Sequence, residues 1–197
     1  LLPHHVVAAA LLILPILLTG GLHCDGFMDT MDGLFSGRSR ERMLEIMKDS
    51  RVGANGVIAF FFLAALKIVS LAELLQPWPL LIAVPAAARF AALVSIFKFP
   101  YAHSEGLGRA YAAHGPSRVL VKGCVAALVP SVLVGIFYVP VLVGAVMITV
   151  LADSYITARL GGVTGDTYGA VIEFTEMLLL VGAVFAAKLM TVYINGG

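Results

Sequence analysis

The sequence predicts an all-α fold, a polytopic helical bundle with about six transmembrane helices. The chain has 197 residues, 60% hydrophobic and 13% charged, with a mean hydropathy of +0.97. Soluble domains are closer to half apolar and a quarter charged. No segment alternates like a barrel strand, so helices are the remaining way to satisfy the backbone in hydrocarbon. Without an internal repeat or a linker, residues 1–197 are expected to form a single transmembrane catalytic domain.

The apolar segments define the spans in chain order. Each approaches the roughly 20 residues that cross about 30 Å of hydrocarbon. The third and fifth open near Pro79 and Pro140, and proline is tolerated in a helix's first turn. The first segment lacks the basic start and the small-residue cleavage site of a signal peptide, so it is expected to be a retained span. The six predicted spans are 3–19, 54–75, 78–97, 119–137, 139–158 and 169–194.

The basic residues predict the orientation of these spans. Ten of the thirteen Lys and Arg residues lie in segments 20–53 and 98–122 or at Arg159, whereas the opposite turns, near 76–79 and 137–140, hold none. Under the positive-inside rule the charged loops face the cytoplasm. No basic patch with interleaved aromatic residues suggests a nucleic-acid partner, and the oligomeric state, including a homo-oligomer, is left open.

One segment, residues 25–51, concentrates the charge of the chain. Asp25, Asp29 and Asp32 are spaced i, i+4 and i+7, so a helix would place them on one face. They have no basic neighbour at i±4 and repel one another unless a cation lies between them. A divalent metal with a phosphate ligand is the usual solution, and this predicts phosphate chemistry at the edge of a membrane span.

A second helix is predicted between Ser39 and Asp49. Its Glu41, Glu45 and Asp49 form another ridge of carboxylates. These acids could join a two-metal site that supports an in-line displacement at phosphorus. A solvated amphipathic helix with ordinary Glu–Arg pairs is the alternative.

The second motif, GGVTGDTYGA, covers residues 161–170 between the last two predicted spans. Its glycines allow backbone N–H groups to approach a ligand closely. Asp166 or Thr167 is expected to cap a helix that begins near Tyr168, whose N-terminus favours anions. A tight turn with an N-cap and no ligand is the alternative.

Ionisable residues also occur inside the predicted spans, where charge is costly and usually has a function or a partner. Arg89 lies near mid-span, and Lys67 is expected to pair with an acidic neighbour. Asp153 and Glu173 lie near the charged loops, where snorkelling or capping would suffice. The remaining members of this set are Glu176, with Glu73 and Lys188 expected near the opposite interface.

The histidines divide into two groups. His23 stands two residues before Asp25, where it could contact a metal, a phosphate or a carboxylate. His103 and His114 lie in a polar loop and are expected to be solvated.

Residues 20–56, GGLHCDGFMDTMDGLFSGRSRERMLEIMKDSRVGANG, resemble the motif of cobalamin synthase, the adenosylcobinamide-GDP ribazoletransferase family. Residues 161–170 with Glu173 resemble the second motif of that family, and Glu105 to Gly108 and Arg89 also fit. The chain lacks the short Arg-Ile/Leu-Pro element at the family's amino terminus, so an N-terminal segment is expected to be missing.

The resemblance implies a membrane enzyme of the bacterial cytoplasmic (inner) membrane that acts late in vitamin B12 assembly. The enzyme would transfer the corrinoid phosphoryl moiety of adenosylcobinamide-GDP to α-ribazole or its phosphate and release GMP. Family members depend on Mg²⁺. The metal ligands would be Asp25, Asp29, Asp32, Glu45 and Asp49.

The same resemblance suggests further roles. Asp29 and Asp32 would be catalytic. By analogy with the last acidic residue of the related CDP-alcohol phosphotransferase motif, Asp49 would be the base that takes the proton of the attacking ribose hydroxyl. The residues expected to bind the substrate are His23, Arg38, Arg51, Arg89, Thr164, Gly165 and Asp166.

A more distant similarity links the chain to CDP-alcohol phosphotransferases. Asp29-Thr-Met-Asp32-Gly33 matches the first half of their DxxDGxxAR motif, but the AR element is displaced and the later GxxxDxxxD element is incomplete. A phospholipid-forming transferase therefore remains an alternative. A proton-coupled transporter is a second one, although its ionisable groups would lie near the bilayer midplane.

Overall fold

The computed structural model describes residues 2–74, 78–103 and 119–195, and this part of the chain is helical apart from turns and one isolated β-bridge. The predicted all-α fold is therefore confirmed. The helices are α1 His4–Leu18, α2 Leu22–Leu34, α3 Arg40–Ile46, α4 Ala54–Glu73, α5 Trp78–Lys98, α6 Val119–Leu128, α7 Ser131–Val134, α8 Tyr138–Leu160 and α9 Gly165–Asn195, with a 3₁₀ turn at Gly135–Phe137.

Four helices, α4, α5, α8 and α9, are long and apolar enough to cross a membrane. α1 and α2 are long and apolar enough only when they are taken together, and the chain bends by 93° between them. The protein is thus an integral membrane protein, and by length and composition its described residues hold four spanning helices, or five if the bent pair counts as one. Large apolar side chains such as Phe61 and Phe62 are exposed, as lipid-facing positions require.

The predicted span 119–137 is wrong as a continuous helix. α6 is ten residues long, which covers only about 15 Å at 1.5 Å per residue. It ends before Pro130, a one-turn helix follows, and Gly135 has a φ of +69°. Proline cannot donate the helical hydrogen bond, so the apolar run continues while the helix does not.

The first predicted span, 3–19, is a helix to within one residue at each end, but it is too short to cross a membrane alone. α1 has fifteen residues and contains Pro15. Gly20 and Gly21 then adopt left-handed backbone conformations, with φ of +63° and +77°, which side-chain-bearing residues rarely adopt. The chain therefore turns sharply, and the acid-rich α2 begins immediately after the turn.

The packing of α2 against α9 determines where the two sequence motifs lie. A Cβ at Gly26 would meet the backbone oxygen of Asp166 at 2.7 Å, and a Cβ at Gly169 would meet the Cα of His23 at 3.0 Å. The two backbones are thus in direct contact, which only glycine permits at these two positions. Motifs more than 100 residues apart in sequence therefore meet at one helix crossing.

A small hydrophobic cluster packs α3 against the second motif. Met43 and Met47 are buried, and they pack with residues of α8, α9 and the turn between those helices. The predicted helix between Ser39 and Asp49 is confirmed for Arg40–Ile46. Its apolar face is buried and its charged face is exposed, as its sequence pattern requires.

Candidate active site

α2 carries the three predicted aspartates, and Asp32 has a well-defined role in the packing. Its Oδ2 accepts a hydrogen bond from the Gly53 N–H at 2.7 Å and its Oδ1 accepts one from the Gly56 N–H at 2.8 Å. These groups belong to the first turn of α4, so the carboxylate caps that helix from outside it. A Cβ at Gly56 would meet Asp32 Oδ2 at 2.6 Å, which explains why glycine occurs where Asp32 docks.

The other two aspartates of α2 face the start of α9. The charged neighbours of Asp29 are Asp25, Asp166 and Asp32, and those of Asp166 include Asp25. None of the ion pairs among the described residues involves Asp25, Asp29 or Asp166. We call these three residues the acidic mouth; its carboxylates lie close enough to repel one another and form no ion pair within the described ranges, although Lys48 and His103 lie near Asp166.

The N-terminus of α9 differs from the prediction. The helix begins at Gly165 rather than near Tyr168. Thr164 Oγ1 accepts a hydrogen bond from the Thr167 N–H at 3.2 Å, and Thr167 Oγ1 accepts one from the Thr164 N–H at 2.7 Å. This reciprocal pair resembles a capping box. Thr164, not Asp166 or Thr167, is the cap, and the earlier start leaves Asp166 in the first turn beside α2.

Two other predicted metal ligands lie elsewhere. Glu45 pairs with Arg42 on the exposed face of α3, at 2.6 Å. Asp49 receives two side-chain hydrogen bonds and one backbone hydrogen bond from Arg51. Those bonds lower the pKa of Asp49 to about 2, and its charged neighbours are Arg51 and Arg42 rather than any acid of α2.

The predicted phosphate-binding arginines are likewise separated. Arg38 is exposed in the turn between α2 and α3, and Arg51 is occupied by Asp49. Arg89 lies within α5 and donates to Glu176 at 2.7 Å. The structure does not bring these three residues together, so their contacts with phosphate stay predictions.

Arg89 belongs to a charge network inside the bundle. Lys67 of α4 donates to Glu173 and, at 2.9 Å, to Glu176, both on α9. Lys67 is 3% exposed, and the prediction that it pairs with an acid is confirmed. The network contains two acids and two bases, and Lys67, Glu173 and Glu176 form the polar wall of a cavity of about 210 Å³ otherwise lined by apolar residues. His23 has all four of these residues as charged neighbours.

The sequence patterns did not indicate three basic residues near the second motif, namely Lys48, His103 and Arg40. Backbone hydrogen bonds of 2.8 Å join Ala102 N–H to the Val163 carbonyl and Val163 N–H to the Pro100 carbonyl. This pairing holds His103 beside α9, half-buried, with Lys48 and Asp166 as charged neighbours. Burial and the Lys48 charge lower the pKa of His103 below its usual value, so the expectation of a solvated His103 is wrong.

Arg40 is the third missed residue. Gly161 has a φ of +76°, and a Cβ there would meet both terminal guanidinium nitrogens of Arg40 at 2.5 Å. The guanidinium therefore lies directly on the glycine turn of the second motif. The spacing of charges along α3 could not reveal this contact, because it depends on a loop 120 residues away.

Similarity to known proteins shows the family of this chain. Residues 1–184 match the family described as cobalamin-5-phosphate synthase. The chain belongs to this family. An adenosylcobinamide-GDP ribazoletransferase of Desulfitobacterium hafniense is 41% identical over 93% of this chain and 76% of its own length. Proteins of the same name from Desulforamulus reducens and Escherichia coli are 45% and 40% identical over 87% and 83% of this chain, and 72% and 69% of their own lengths. No solved structure matches the chain.

Some residues that carry the resemblance to the family have no described position. Glu105 to Gly108 and His114, like Arg109 and Arg118 of the predicted basic loop, lie outside the described residues. Asp153, expected near a loop, is instead fully buried in α8, and neither of its carboxylate oxygens has a hydrogen-bond partner in the described part of the chain.

The fit of a metal ion can be tested against the donors that are present. In the ranges 2–74, 78–103 and 119–195, no group of three or more His, Cys, Asp or Glu side chains is placed to hold one ion. Mg²⁺ is usually bound by one or two carboxylates and completed by water and substrate phosphates. The acidic mouth supplies unpaired carboxylates for such a shared site. The five-acid ligand set is not assembled, because Glu45 and Asp49 pair with arginines at the surface.

Proposed function

We propose that this chain transfers the corrinoid phosphoryl moiety of adenosylcobinamide-GDP to α-ribazole or α-ribazole phosphate and releases GMP. The product is adenosylcobalamin or its phosphate. Membership of the cobalamin-5-phosphate synthase family supports this reaction, as do the relatives named adenosylcobinamide-GDP ribazoletransferase. The alternatives, a phospholipid-forming transferase and a transporter, have no support among these relatives.

One structural observation carries the proposal. The crossing of α2 and α9 brings Asp25 and Asp29 of the first motif beside Asp166 of the second, without an ion pair in the described residues. Like charges held together in a folded protein need a compensating cation. Acidic residues that bind a cation suit a reaction at a nucleotide diphosphate, because the cation can also bind the phosphate oxygens.

Mg²⁺ is the cofactor we propose for the acidic mouth, with Asp25, Asp29 and Asp166 as the residues that would hold it. When bound, it would neutralise the diphosphate and stabilise the charge that develops as the bond to GMP breaks. Asp32 acts differently, because both of its oxygens already accept N–H groups of α4. Its role is to fix α2 against α4, and so to hold Asp29 in position.

The attacking ribose hydroxyl must give its proton to a base. Asp49 is the candidate that the similarity to CDP-alcohol phosphotransferases implies. Its pKa of about 2 and its Arg51 partner make it a weak proton acceptor. The hydroxyl attacks phosphorus, the phosphorus–oxygen bond to GMP breaks, and the proton passes to a base or to water.

The site is also proposed to face the cytoplasm of a bacterial inner membrane. Asp25, Asp29 and α3 lie within segment 20–53, which holds five of the thirteen basic residues, and Asp166 follows Arg159 by seven residues. Positive charge favours the cytoplasmic side, where nucleotide-activated substrates are available.

The test uses the full chain purified in detergent. Adenosylcobinamide-GDP, α-ribazole and MgCl₂ are added, and GMP release is measured alongside formation of the corrinoid product. We expect GMP only when both substrates are present, and loss of release after chelation of divalent ions. GMP release that needs no acceptor, or CMP release from a CDP-lipid under the same conditions, would contradict the proposal.

A further inference from the structure

We propose that Arg40, Lys48 and His103, which we call the basic rim, form a phosphate-binding surface opposite the acidic mouth. The inference deepens the proposed function, on which it rests, by assigning the substrate's phosphate oxygens to residues of this chain. The three residues come from three separate segments: the start of α3, the turn after α3, and the segment that follows α5.

Arg40 contributes a planar donor at a fixed place. Its guanidinium lies against Gly161, where any side chain would collide with it. It is exposed and forms no ion pair within the described ranges. Arg42, only two residues away, does have a carboxylate partner, Glu45. An arginine that is held in place but lacks an acid retains its N–H groups for an oxyanion, and the guanidinium fork fits phosphate in a bidentate manner.

His103 is held in place by the backbone. The two hydrogen bonds between residues 100–102 and Val163 anchor its segment, and the ring of Tyr101 makes an edge contact with the His103 ring at 6.1 Å between centroids. The imidazole is half-buried and can donate one N–H. Lys48 lies close enough to act on both His103 and Asp166.

The acids that face the rim belong to the mouth. Lys48 and His103 both have Asp166 as a charged neighbour, and Asp166 in turn has Asp25. The carboxylates of the mouth and the N–H donors of Lys48 and His103 are thus neighbours near the start of α9. The first turn of α9, which begins at Gly165, adds the positive end of a 31-residue helix.

This arrangement matches a metal-bound phosphate. Carboxylates would hold the cation, while the rim would take the phosphate oxygens that the cation leaves unbound. The phosphate could be the diphosphate of the activated corrinoid or the 5′-phosphate of a phosphorylated acceptor. Both present the same oxyanion chemistry, and kinetics can separate them.

The experiment compares Arg40→Ala, Lys48→Ala and His103→Ala with the wild type and with Arg42→Ala. The last variant is the matched control, because Arg42 lies on α3 but pairs with Glu45 at the surface. GMP release is measured against donor concentration and, separately, against acceptor concentration, with α-ribazole and α-ribazole 5′-phosphate each as the acceptor. Loss of a charge-assisted contact should raise KM about tenfold or more, with Arg42→Ala within about twofold of the wild type.

Two results support the rim and identify its ligand. A rise in KM for the phosphorylated acceptor alone assigns the rim to the acceptor phosphate. A rise in KM for the donor with both acceptors assigns it to the diphosphate. Equal KM values for the variants, the control and the wild type would overturn the inference, as would a fall in kcat alone.

A second measurement does not depend on turnover. Inorganic diphosphate with MgCl₂ is titrated into the detergent-solubilised protein, and the rise in melting temperature is recorded. We expect the rim variants to need at least about ten times more diphosphate for the same rise. If the rim variants need more diphosphate than the wild type for the same rise, yet the wild type releases no GMP, the rim stands and the proposed reaction fails. A wild type that releases GMP but whose variants respond to diphosphate like Arg42→Ala contradicts the rim only.

Arg40→Lys guards against a purely structural effect. Lysine keeps the charge but loses the fork, so partial recovery of affinity is expected. A rim variant that melts several degrees below the wild type without ligand is left out of the comparison. The rim is then tested with Arg40→Lys and Arg40→Gln. Equal diphosphate affinity in Arg40→Lys and Arg40→Gln, both unchanged from the wild type, would contradict the rim.

Discussion

The chain holds two groups of acidic residues that the fold treats in opposite ways. Inside the bundle, Glu173 and Glu176 receive hydrogen bonds from Lys67 and Arg89, and the group is electrically balanced. At the acidic mouth, Asp25, Asp29 and Asp166 lie together and form no ion pair in the described residues. Removing one partner of a buried ion pair is costly, whereas carboxylates at an open site can bind a cation with a ligand. The difference separates residues that hold the bundle together from residues for which we propose a role in the reaction.

The first prediction tests the mouth directly. Asp29→Asn removes one charge from three adjacent carboxylates and keeps the shape of the side chain. We expect GMP release to fall by about 10²–10³-fold, the usual loss when one electrostatic contact to the reacting group is removed. The melting temperature in detergent should stay level or rise, because a repulsion is relieved. Retention of full activity by Asp29→Asn would remove this residue from the site.

The second prediction tests the balanced network. Lys67→Met removes the Lys67 hydrogen bond to Glu173 and one of the two side-chain hydrogen bonds to Glu176, at a position that is 3% exposed. Breaking a buried ion pair costs about 3–5 kcal/mol of unfolding free energy. Denaturant unfolding in detergent would measure it.

The matched control for Lys67→Met is Lys188→Met. Lys188 pairs with Glu73 at 2.8 Å, but both side chains are largely exposed. Surface pairs contribute little to stability, so no resolvable change is expected. Equal effects of the two substitutions would mean that the inner network is no more important than a surface pair.

The third prediction concerns the joint that positions the mouth. A Cβ at Gly56 would meet Asp32 Oδ2 at 2.6 Å and the Met28 carbonyl oxygen at 2.7 Å. Gly56→Ala should therefore separate α2 from α4 and destabilise the protein by about 1–3 kcal/mol. Activity should fall with it, since Asp29 is carried on α2.

Gly182→Ala is the control for this joint. Nothing lies within 4 Å of a Cβ at Gly182 in α9, and alanine favours helix over glycine by up to about 1 kcal/mol. We expect Gly182→Ala to be neutral or slightly stabilising. A destabilisation as large as that of Gly56→Ala would show that helix flexibility, not the Asp32 contact, explains the first result.

The smallest effect is expected at Asp49. Arg51 holds its carboxylate and lowers its pKa to about 2, so at neutral pH it is ionised and only weakly basic. Asp49→Asn should reduce GMP release by less than about tenfold, whereas loss of a general base costs about 10²–10⁴-fold. A loss in the second range would restore Asp49 as the base and show that its partner changes when substrate binds.

Local patterns in the sequence predicted much of this fold. The spacing of Asp25, Asp29 and Asp32 placed them on one helix, and composition identified the long spans. The break at Pro130 was missed because the residues around it are mostly apolar, and hydropathy does not register a lost backbone hydrogen bond. The cap at Thr164 was missed because its partner, Thr167, was itself taken as a possible cap.

The site was harder to predict than the spans. The roles of Asp32, Arg40 and His103 depend on glycines at positions 53, 56 and 161 and on a backbone pairing at Val163. Each contact joins residues far apart in sequence, so no local periodicity reports it. Spacing could identify the acids but could not say which of them remain without a partner.

The crossing of α2 with α9 has a consequence for biosynthesis. Asp166 and Gly169 are synthesised more than 130 residues after α2. The acids of α2 therefore precede the helix that they contact, and the two motifs can meet only after α9 has been made and has packed against α2. A nascent chain that stops before α9 contains the first motif without the second.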